Sequence, residues 1–374
     1  MDILLATSAH PPFDTRIYHK IFKSLYKEEY RIKILVPNQI KLAKQDKNFI
    51  SIEIRKGRFT RLINNYFLFK KCRELNPKLI IFFDPDFLPF MILYKLLFRS
   101  VVIYDNHEDY PNFIMANQKF PIIIRKFIKI CYRIFEKLGL LLFDHIIYAD
   151  PFTPKYYNIV NNNISVIHNY PIIKDFKKDN KEYDIIFPGS IDLCYKRILK
   201  IVAELEYNHD RKINFLIIGR RVPTQIIKEI TKFSESLINT ELTLLMDKEY
   251  IDVQSYIEKS KIGIIPLAPI KKMENNIPTK MFEYIMHSIP QIGSHLQPIS
   301  HYLNQTRSGF CVHENNFEKK YVIKINEILD NYDKYKEYAD SDKKKLLFNW
   351  NWHLNEEPKL IKIINNFIGG KVRL

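Results

Sequence analysis

A lysine and a glutamate spaced one helical turn apart are well suited to bind a phosphorylated ligand. An apolar run, IGIIPL, leads through a loop rich in lysine and asparagine to Pro278, which Lys280 and Glu283 follow. Proline favours the first turn of a helix, so we expect a helix to begin near Pro278 and to run to about His287. Its N-terminus and the lysine ammonium would attract phosphate, and Glu283 could accept hydrogen bonds from a ribose. The alternative is that both charges are only solvated surface residues.

A second group of reactive side chains follows the apolar run VVIY. Here the sequence reads Asp105-Asn106-His107-Glu108-Asp109. An imidazole that titrates near neutral pH, next to a carboxylate, could orient sugar or acceptor hydroxyl groups. Neighbouring acids after a strand could instead form a metal site.

Two cations near the N-terminus have helical spacing. Arg16 and Lys20 lie four positions apart, so one helix face could present both of them to a phosphate. Asp14, which precedes them, could contribute to the same site or serve as the N-cap of that helix. For Lys20, solvation alone is the alternative.

The stretch NNIPTKMFEYIMHSIPQIGS, Asn275 to Ser294, resembles the donor-site motif of glycosyltransferase family 4. Members of that family have the GT-B fold and retain the anomeric configuration of the transferred sugar. They carry two glutamates eight positions apart, and the second, matched by Glu283, contacts the ribose. The first is replaced here by Asn275, which can bind a sugar hydroxyl but cannot act as a base. The resemblance implies that Pro278 and Thr279 also lie at the donor.

The resemblance covers nearly the whole chain. The segment ATSAHPPFDTRIYHK is similar to the opening strand and loop of the family, where the acceptor approaches, and DNHED is similar to the D-x-H-E segment of the family. By this resemblance His107 lies at the reaction centre. The implied acceptor-binding residues are Asp14, Arg16, Lys20 and Glu108.

Two glycine turns resemble the parts of the family that hold the diphosphate. Gly189 and Ser190 stand where the family has a glycine turn followed by an Arg-Gly pair. That pair is missing, so either Lys196 or Arg197 is expected to supply the charge. Arg220 follows a second turn near the nucleotide, where surface solvation is the alternative.

Short β-branched runs alternate with longer amphipathic stretches, which is typical of an α/β fold with parallel sheets. The first half contains six predicted strands: Ile3 to Ala6, Arg31 to Val36, Leu79 to Phe83, Val101 to Tyr104, His145 to Tyr148 and Ser165 to Ile167. The second half contains five: Asp184 to Phe187, Asn214 to Ile218, Glu241 to Leu245, Ile262 to Ile265 and Gln291 to Ile292.

A length of 374 residues and this repeated pattern predict two Rossmann-like domains, which in a GT-B fold face a central cleft. The polar segment KDFKKDNKEYD suits a linker. We therefore expect an acceptor-binding domain at 1–174 and a donor domain at 175–349. Residues 350–374 are predicted to form a C-terminal helix that caps either domain, including the N-terminal one.

The net charge of +16 is uneven along the chain. Residues 1–170 hold 26 Lys+Arg and 15 Asp+Glu, a net +11. This excess favours an anionic partner such as a lipid surface, nucleic acid or a phosphorylated substrate, unless it is only solvation. Two segments of this half mix basic and apolar residues. One is the stretch Arg55 to Arg73, and the other has a basic residue at every fourth position: Arg125, Lys129, Arg133 and Lys137. Each suits either a helix at a membrane interface or an ordinary packed helix.

Several classes of protein fit the sequence poorly. The four cysteines are far apart, which argues against a zinc site or a disulfide framework and for a reducing compartment. The N-terminus lacks the basic start of a signal peptide, and no stretch has the length of a membrane span. No phosphate-binding glycine motif or RNA module is present. We expect a cytoplasmic protein, or one held at the inner face of the cell membrane, with no metal, cofactor or nucleic-acid partner.

These observations predict a nucleotide-sugar-dependent glycosyltransferase of the hexosyltransferase type. It would move a sugar, with retention, to a polysaccharide or lipid-linked glycan in cell-surface polysaccharide biosynthesis. Two alternatives remain open. One is a GT-B sugar-nucleotide epimerase, and the other is a non-catalytic GT-B subunit or basic scaffold.

Overall fold

The computed structural model describes residues 1–37, 46–52, 60–116, 120–150, 163–173, 180–207 and 211–369. The chain forms two compact units. The first comprises Met1–Asn169 with Trp352–Leu374, and the second comprises Tyr170–Asn351. The division at Tyr170 lies five residues before the predicted start of the donor domain. Most of the predicted linker lies outside the described residues.

The first unit is built on a seven-stranded parallel sheet with the order β3-β2-β1-β4-β5-β6-β7. Its strands are β1 Ile3–Ala6, β2 Ile32–Pro37, β3 Phe49–Ile52, β4 Leu79–Phe82, β5 Val101–Asn106, β6 His145–Tyr148 and β7 Ile164–Val166. Its helices are a π-helical segment Thr15–Phe22, α1 Lys23–Lys27, α2 Thr60–Leu75, a 3-10 turn Pro85–Phe87, α3 Leu88–Leu97, α4 Tyr110–Ala116 and α5 Ile122–Leu142. Helix α3 packs against both α2 and α5, and α5 also packs against α4.

The second unit has a six-stranded parallel sheet with the order β10-β9-β8-β11-β12-β13. Its strands are β8 Tyr183–Gly189, β9 Ile213–Gly219, β10 Thr240–Met246, β11 Ser260–Ile265, β12 Gln291–Ser294 and β13 Gly309–Val312. Its helices are α6 Tyr195–Tyr207, α7 Thr224–Ser234, α8 Tyr250–Glu258, α9 Lys271–Glu274, α10 Lys280–Met286, α11 Gln297–Leu303, α12 Phe317–Asp330 and α13 Tyr332–Asn349.

The C-terminal segment returns to the first unit. A π-helical turn, Trp352–Glu356, leads into α14, Glu357–Ile368. The indole of Trp352 is fully buried and donates a hydrogen bond of 3.0 Å to the Ser24 hydroxyl. Burial of so large a side chain is worth about 2–3 kcal/mol, so this contact ties the segment to α1.

All eleven predicted strands are present, and the predicted α/β class is confirmed. Each sheet reverses its strand order once, between β1 and β4 in the first unit and between β8 and β11 in the second. In open parallel sheets, ligands bind beyond the carboxyl ends of the strands at such a switch point. Functional side chains are therefore expected directly after these four strands.

Candidate functional site

In the second unit, Lys280 lies at the switch point beside the Gly189 turn. Gly189 ends β8 with a φ of +116°, a conformation that favours glycine. A Cβ at this position would stand 3.3 Å from Lys280 Nζ, which shows how closely the ammonium approaches the turn. The ammonium also lies 3.6 Å from the centre of the Phe187 ring, in the geometry of a cation–π contact.

The charge of Lys280 has little compensation. Burial lowers its pKa to about 8, although Cys194 and Glu283 favour the charged form. The Cys194 thiol is itself neutral at physiological pH, because burial raises its pKa to about 11. Within the described ranges, no acid forms an ion pair with Lys280. The turn thus holds a partly desolvated cation that an anion could neutralise.

Helix α10, which carries Lys280, is fastened to both strands of the switch point. The Tyr284 hydroxyl lies 3.3 Å from the Ile186 carbonyl oxygen on β8 and 3.1 Å from that of Ile264 on β11. Its ring lies flat on β11, because Gly263 has no Cβ there; an added one would come within 2.5 Å of the ring. The buried Tyr284 thereby fixes the position of Lys280 relative to the Gly189 turn.

The helix is shorter than predicted. It spans Lys280–Met286, and only a tighter turn, in which Met281 N donates to Pro278 O at 3.1 Å, reaches back to the proline. The helix ends at its C-cap His287, after which Ser288 has a φ of +51°. Both ring nitrogens of His287 are bound, at 2.7 Å to Glu258 and at 2.9 Å to Gln254. With seven residues the helix dipole is small, so the charge of Lys280 is the stronger attraction for phosphate.

The remaining predicted donor residues of this segment surround Lys280 in sequence. Glu283 is half-buried. The pKa of the Tyr250 hydroxyl is raised mainly by the burial of that hydroxyl and further by the negative charge of Glu283. Asn275 is half-buried at the end of α9. Pro278 is half-buried and Thr279 is exposed. Glu283 is therefore close enough to influence both Lys280 and Tyr250, and the donor-binding roles of all four residues remain predictions.

The two candidate cations after β8, Lys196 and Arg197, differ in how many contacts hold them. Arg197 is held by three groups: its Nε donates to Pro266 O at 3.1 Å, its two terminal nitrogens bind Glu314 at 2.5 and 2.9 Å, and its Cζ lies 3.7 Å from the centre of the Phe317 ring. Lys196 is exposed, and no acid in the described part of the chain pairs with it. The charge of Arg197 is thus already compensated by Glu314, whereas Lys196 has no ion pair with a described acid.

Two other predicted donor residues lie on exposed turns. Ser190 follows Gly189, and its carbonyl oxygen lies 3.7 Å from the Cys194 sulfur. Arg220 follows β9 and its side chain points to solvent. The next residue, Arg221, has a φ of +51°, and Asp247 accepts a hydrogen bond from its backbone N–H at 2.8 Å, so the turn is held in place.

In the first unit, the switch point brings together a histidine and an aspartate that the sequence did not single out. His10 follows β1 and Asp84 follows β4. His10 Nδ1 lies 3.0 Å from Asp84 Oδ1, and the other carboxylate oxygen accepts from the Thr7 hydroxyl at 2.6 Å and from Ser8 N at 2.7 Å. A search directed to the residues after adjacent switch-point strands would have found this pair.

His107 joins the same network from the end of β5. Its Nε2 lies 3.2 Å from His10 Nε2. Burial lowers the pKa of His107, whereas the Asp84 carboxylate outweighs burial and raises the pKa of His10. Neutral His107 can therefore accept a hydrogen bond from charged His10. Glu108, next in sequence, is exposed.

Arg16 and Lys20 do share one helix face, but this face points inward. Arg16 is only 4% exposed, with its Nε 3.0 Å and 3.1 Å from the two carboxylate oxygens of Asp105. Lys20 is also buried and donates to the backbone oxygen of Asn169 at 3.1 Å. This corrects the expectation that their helix presents them to an acceptor phosphate, because each charge is committed to a partner inside the unit.

Asp14 caps the helical segment that carries these cations. Its carboxylate accepts from the backbone N–H groups of Arg16 at 2.8 Å and Ile17 at 3.0 Å. The structure supports the capping alternative and leaves an additional role in acceptor binding untested. Among the residues that the structure describes, no group of three potential metal ligands occurs.

The family model for Glycosyl transferases group 1 matches residues 171–345. No curated protein matches the chain at a significant level. Among solved structures, HepE of Anabaena in complex with UDP and glucose is 12% identical with a TM-score of 0.74, covering 98% of this chain and 100% of that one.

Two further solved structures have the same fold. Sucrose-phosphate synthase from Thermosynechococcus elongatus is 12% identical with a TM-score of 0.72, covering 98% of this chain and 99% of that one. The catalytic domain of starch synthase IV from Arabidopsis thaliana, bound to ADP and acarbose, is 9% identical with a TM-score of 0.68 at the same coverage. The predicted GT-B fold is thereby confirmed. The predicted glycosyltransferase family is matched over residues 171–345.

Proposed function

We propose that this chain, whose residues 171–345 belong to the group 1 glycosyltransferases, moves a sugar from a nucleotide-diphosphate donor to a hydroxyl group. The acceptor is a polysaccharide or a lipid-linked glycan of the cell surface, and the anomeric configuration is retained. The observation that carries the proposal is the partly desolvated Lys280 ammonium, 3.3 Å from where a Cβ on Gly189 would stand, at the switch point of the second sheet. A diphosphate is the anion that suits this position.

The second unit binds the donor. Lys280 approaches the diphosphate through the gap left by Gly189, and Glu283, one helical turn further on, binds the ribose. Asn275 binds a hydroxyl group of the sugar. The UDP bound to HepE supports uridine diphosphate sugars as the first donors to test.

Lys196 supplies the second positive charge. It is exposed and carries no ion pair with a described acid, so it can move to the diphosphate at little cost. Arg197, in contrast, would first have to leave Glu314 and Pro266. We therefore assign Arg197 to positioning the end of β11.

The first unit supplies His107. Held neutral by burial and bound to His10, its imidazole can hydrogen-bond a hydroxyl group without carrying charge. His10 and Asp84 orient this ring. Both are positioning residues in this assignment, because they act through His107.

The reaction takes place on one face of the sugar. The bond between the anomeric carbon and the diphosphate oxygen breaks as the acceptor oxygen bonds to the same face of that carbon. The acceptor proton passes to the departing diphosphate, so a separate protein base is not needed. Lys280 and Lys196 stabilise the negative charge that develops on the leaving group.

The proposal is tested by measuring sugar transfer with a panel of UDP- and GDP-sugars, after thermal shift has selected those that bind. Lys280→Ala should lower kcat about 10²- to 10³-fold, because one preorganised charge at the leaving group is lost. Lys200→Ala, an exposed lysine on α6, is the matched control. Full turnover by Lys280→Ala would contradict the proposal. Conversion of the donor sugar without any acceptor would instead identify an epimerase.

A further inference from the structure

Helix α5 exposes an apolar stripe that no described residue covers. Large apolar side chains recur along it at intervals of three or four positions, so they form one helical face. Each is at least 43% exposed, and the most exposed reaches 76%: Ile123, Phe127, Ile130, Ile134, Leu138 and Leu141. Single exposed apolar residues are common on soluble proteins, but a continuous stripe of this length indicates a binding surface.

The opposite face of α5 is packed into the first unit and contains the acid of the helix. Glu136 is buried, where its carboxylate accepts from the Tyr132 hydroxyl at 2.7 Å and from the Asn106 amide at 3.3 Å. The exposed charged residues of the helix are all basic: Lys126, Arg133 and Lys137. The outer face of α5 therefore combines apolar side chains with positive charge.

The helices packed beside α5 also expose apolar side chains. Helix α3 packs against α5 and exposes Leu93, Leu96 and Leu97 to 45%, 64% and 60%. Helix α2 packs against α3 and exposes Leu62 and Tyr66 to 67% and 54%. Exposed apolar side chains thus occur on three helices that pack one against the next in this unit.

We infer that the outer face of α5, continued by α3, docks on the surface of an anionic lipid bilayer. An amphipathic helix with large apolar residues and lysine or arginine beside them suits the boundary between headgroups and acyl chains. Basic residues near an anionic surface add electrostatic attraction to it. A second copy of the chain would present the same positive charge, so two such faces would repel each other. None of the described helices has the length and apolar character needed to cross a membrane, so contact is with the surface.

Docking through α5 would place the candidate site of the first unit next to the bilayer. On its inner side, α5 contacts Asn106 through Glu136, and the Tyr132 ring lies 5.9 Å from that of Tyr110. The Tyr110 ring in turn lies 6.3 Å from that of His107. This orientation suits an acceptor held in the same membrane, a point that rests on the proposed function.

Vesicle sedimentation tests the docking surface. The full chain is mixed with phosphatidylcholine vesicles, with or without phosphatidylglycerol, and the bound fraction is measured. We expect binding to the anionic vesicles that weakens with salt, because the electrostatic part is screened. Phe127→Glu combined with Ile130→Glu should reduce binding at least about tenfold, since each apolar anchor contributes a factor of that order.

The matched control is Ile251→Glu combined with Ile323→Glu, at exposed apolar positions of the second unit. It should bind vesicles like the unchanged chain. The inference is overturned if the unchanged chain does not bind anionic vesicles, or if both double variants lose binding equally. It is also overturned if light scattering shows a dimer that the α5 variant breaks, because a second copy then covers the face.

Failure of docking is distinguishable from failure of the proposed function. The α5 double variant should keep the thermal shift produced by UDP, since its substitutions are on the surface of the first unit. Lys280→Ala should lose that shift and still bind vesicles. If the α5 variant loses both the UDP thermal shift and vesicle binding, it has lost its fold. The milder double variant Arg133→Gln with Lys137→Gln is then measured, and docking through α5 predicts that a smaller fraction of it binds anionic vesicles.

Discussion

The two switch points differ in how a positively charged side chain is compensated. In the first unit, Arg16 is bound to Asp105 at 3.0 Å, and both side chains are almost completely inaccessible to solvent. In the second unit, the Lys280 ammonium makes a cation–π contact with the Phe187 ring and has no described ion-pair partner. In the first arrangement the charge already has an ion-pair partner in the absence of a ligand, and in the second an anion would provide one.

This difference separates structural from functional charge. Breaking a complete buried pair leaves one charge uncompensated, so it should affect folding. Removing a desolvated charge that lacks a partner should leave folding intact or improve it, and should affect binding instead. Variants in the two units can therefore test whether the contrast is real.

The largest effect is expected from Asp105→Ala. It leaves the Arg16 guanidinium buried without its carboxylate, which costs about 3–5 kcal/mol of unfolding free energy. Chemical denaturation should show this loss, and Lys280→Ala should show none. Glu108→Gln, at an exposed acid three residues along the chain, should change stability by less than about 0.5 kcal/mol. If Asp105→Ala is as stable as Glu108→Gln, the ion pair is not structural and the contrast fails.

A smaller effect separates the two cations after β8. Lys196→Ala should lower kcat about 10²-fold with little change in the thermal midpoint, because the exposed residue loses no ion pair with a described acid and only a distant contact with the Tyr195 ring. Arg197→Ala should lower the thermal midpoint, since it removes the contacts to Pro266, Glu314 and Phe317. Steady-state kinetics and calorimetry on both variants decide the assignment. An inactive Arg197→Ala together with a fully active Lys196→Ala would reverse it.

The smallest effect is a dependence on pH in the first unit. Asp84 raises the pKa of His10 above its unfolded value of about 6.5. The resulting stabilisation is complete below that value and is lost as pH rises through the folded pKa. The stability lost in Asp84→Asn should thus be greatest below about pH 6.5 and shrink as the pH rises above the folded pKa. The pKa of Asp84 is lowered, so the carboxylate stays ionised throughout this range.

Asp86→Asn is the control for this pH series. Asp86 accepts a hydrogen bond from the Ser8 hydroxyl at 2.8 Å, yet it forms no described ion pair with a histidine. Its substitution should change stability by a similar amount at each pH. A loss in Asp84→Asn that stays constant or grows with pH would show that His10 is not held charged by Asp84.

Much of the fold could be predicted because both sheets are parallel and their inner strands are continuous apolar runs. The two strands that were missed, β3 and β13, lie at sheet edges. β3, Phe49–Ile52, is short and half-buried, and β13, Gly309–Val312, begins with a glycine and contains a cysteine. A strand of only four residues that is mostly half-buried gives a weak sequence pattern at such an edge, even where its residues favour strands.

The candidate site was predictable where its residues lie close together in sequence. Lys280 and Glu283 are one turn apart, and a proline marks the start of their turn. His10 and Asp84 are separated by 74 positions, and only the adjacency of β1 and β4 joins them. The spacing of Arg16 and Lys20 predicted a shared face but not its direction, which depends on a buried carboxylate 89 positions away from Arg16.

We propose that Lys280 is a partly desolvated cation whose charge a bound diphosphate compensates. Calorimetry of UDP binding at pH 8, in buffers of different ionisation enthalpy, tests it most directly. Because the pKa of Lys280 is about 8 and an anion beside it would raise that value, the unchanged chain should take up about half a proton for each UDP bound. Lys280→Ala should take up none. UDP binding without proton uptake in the unchanged chain, or equal uptake by both proteins, would contradict the claim.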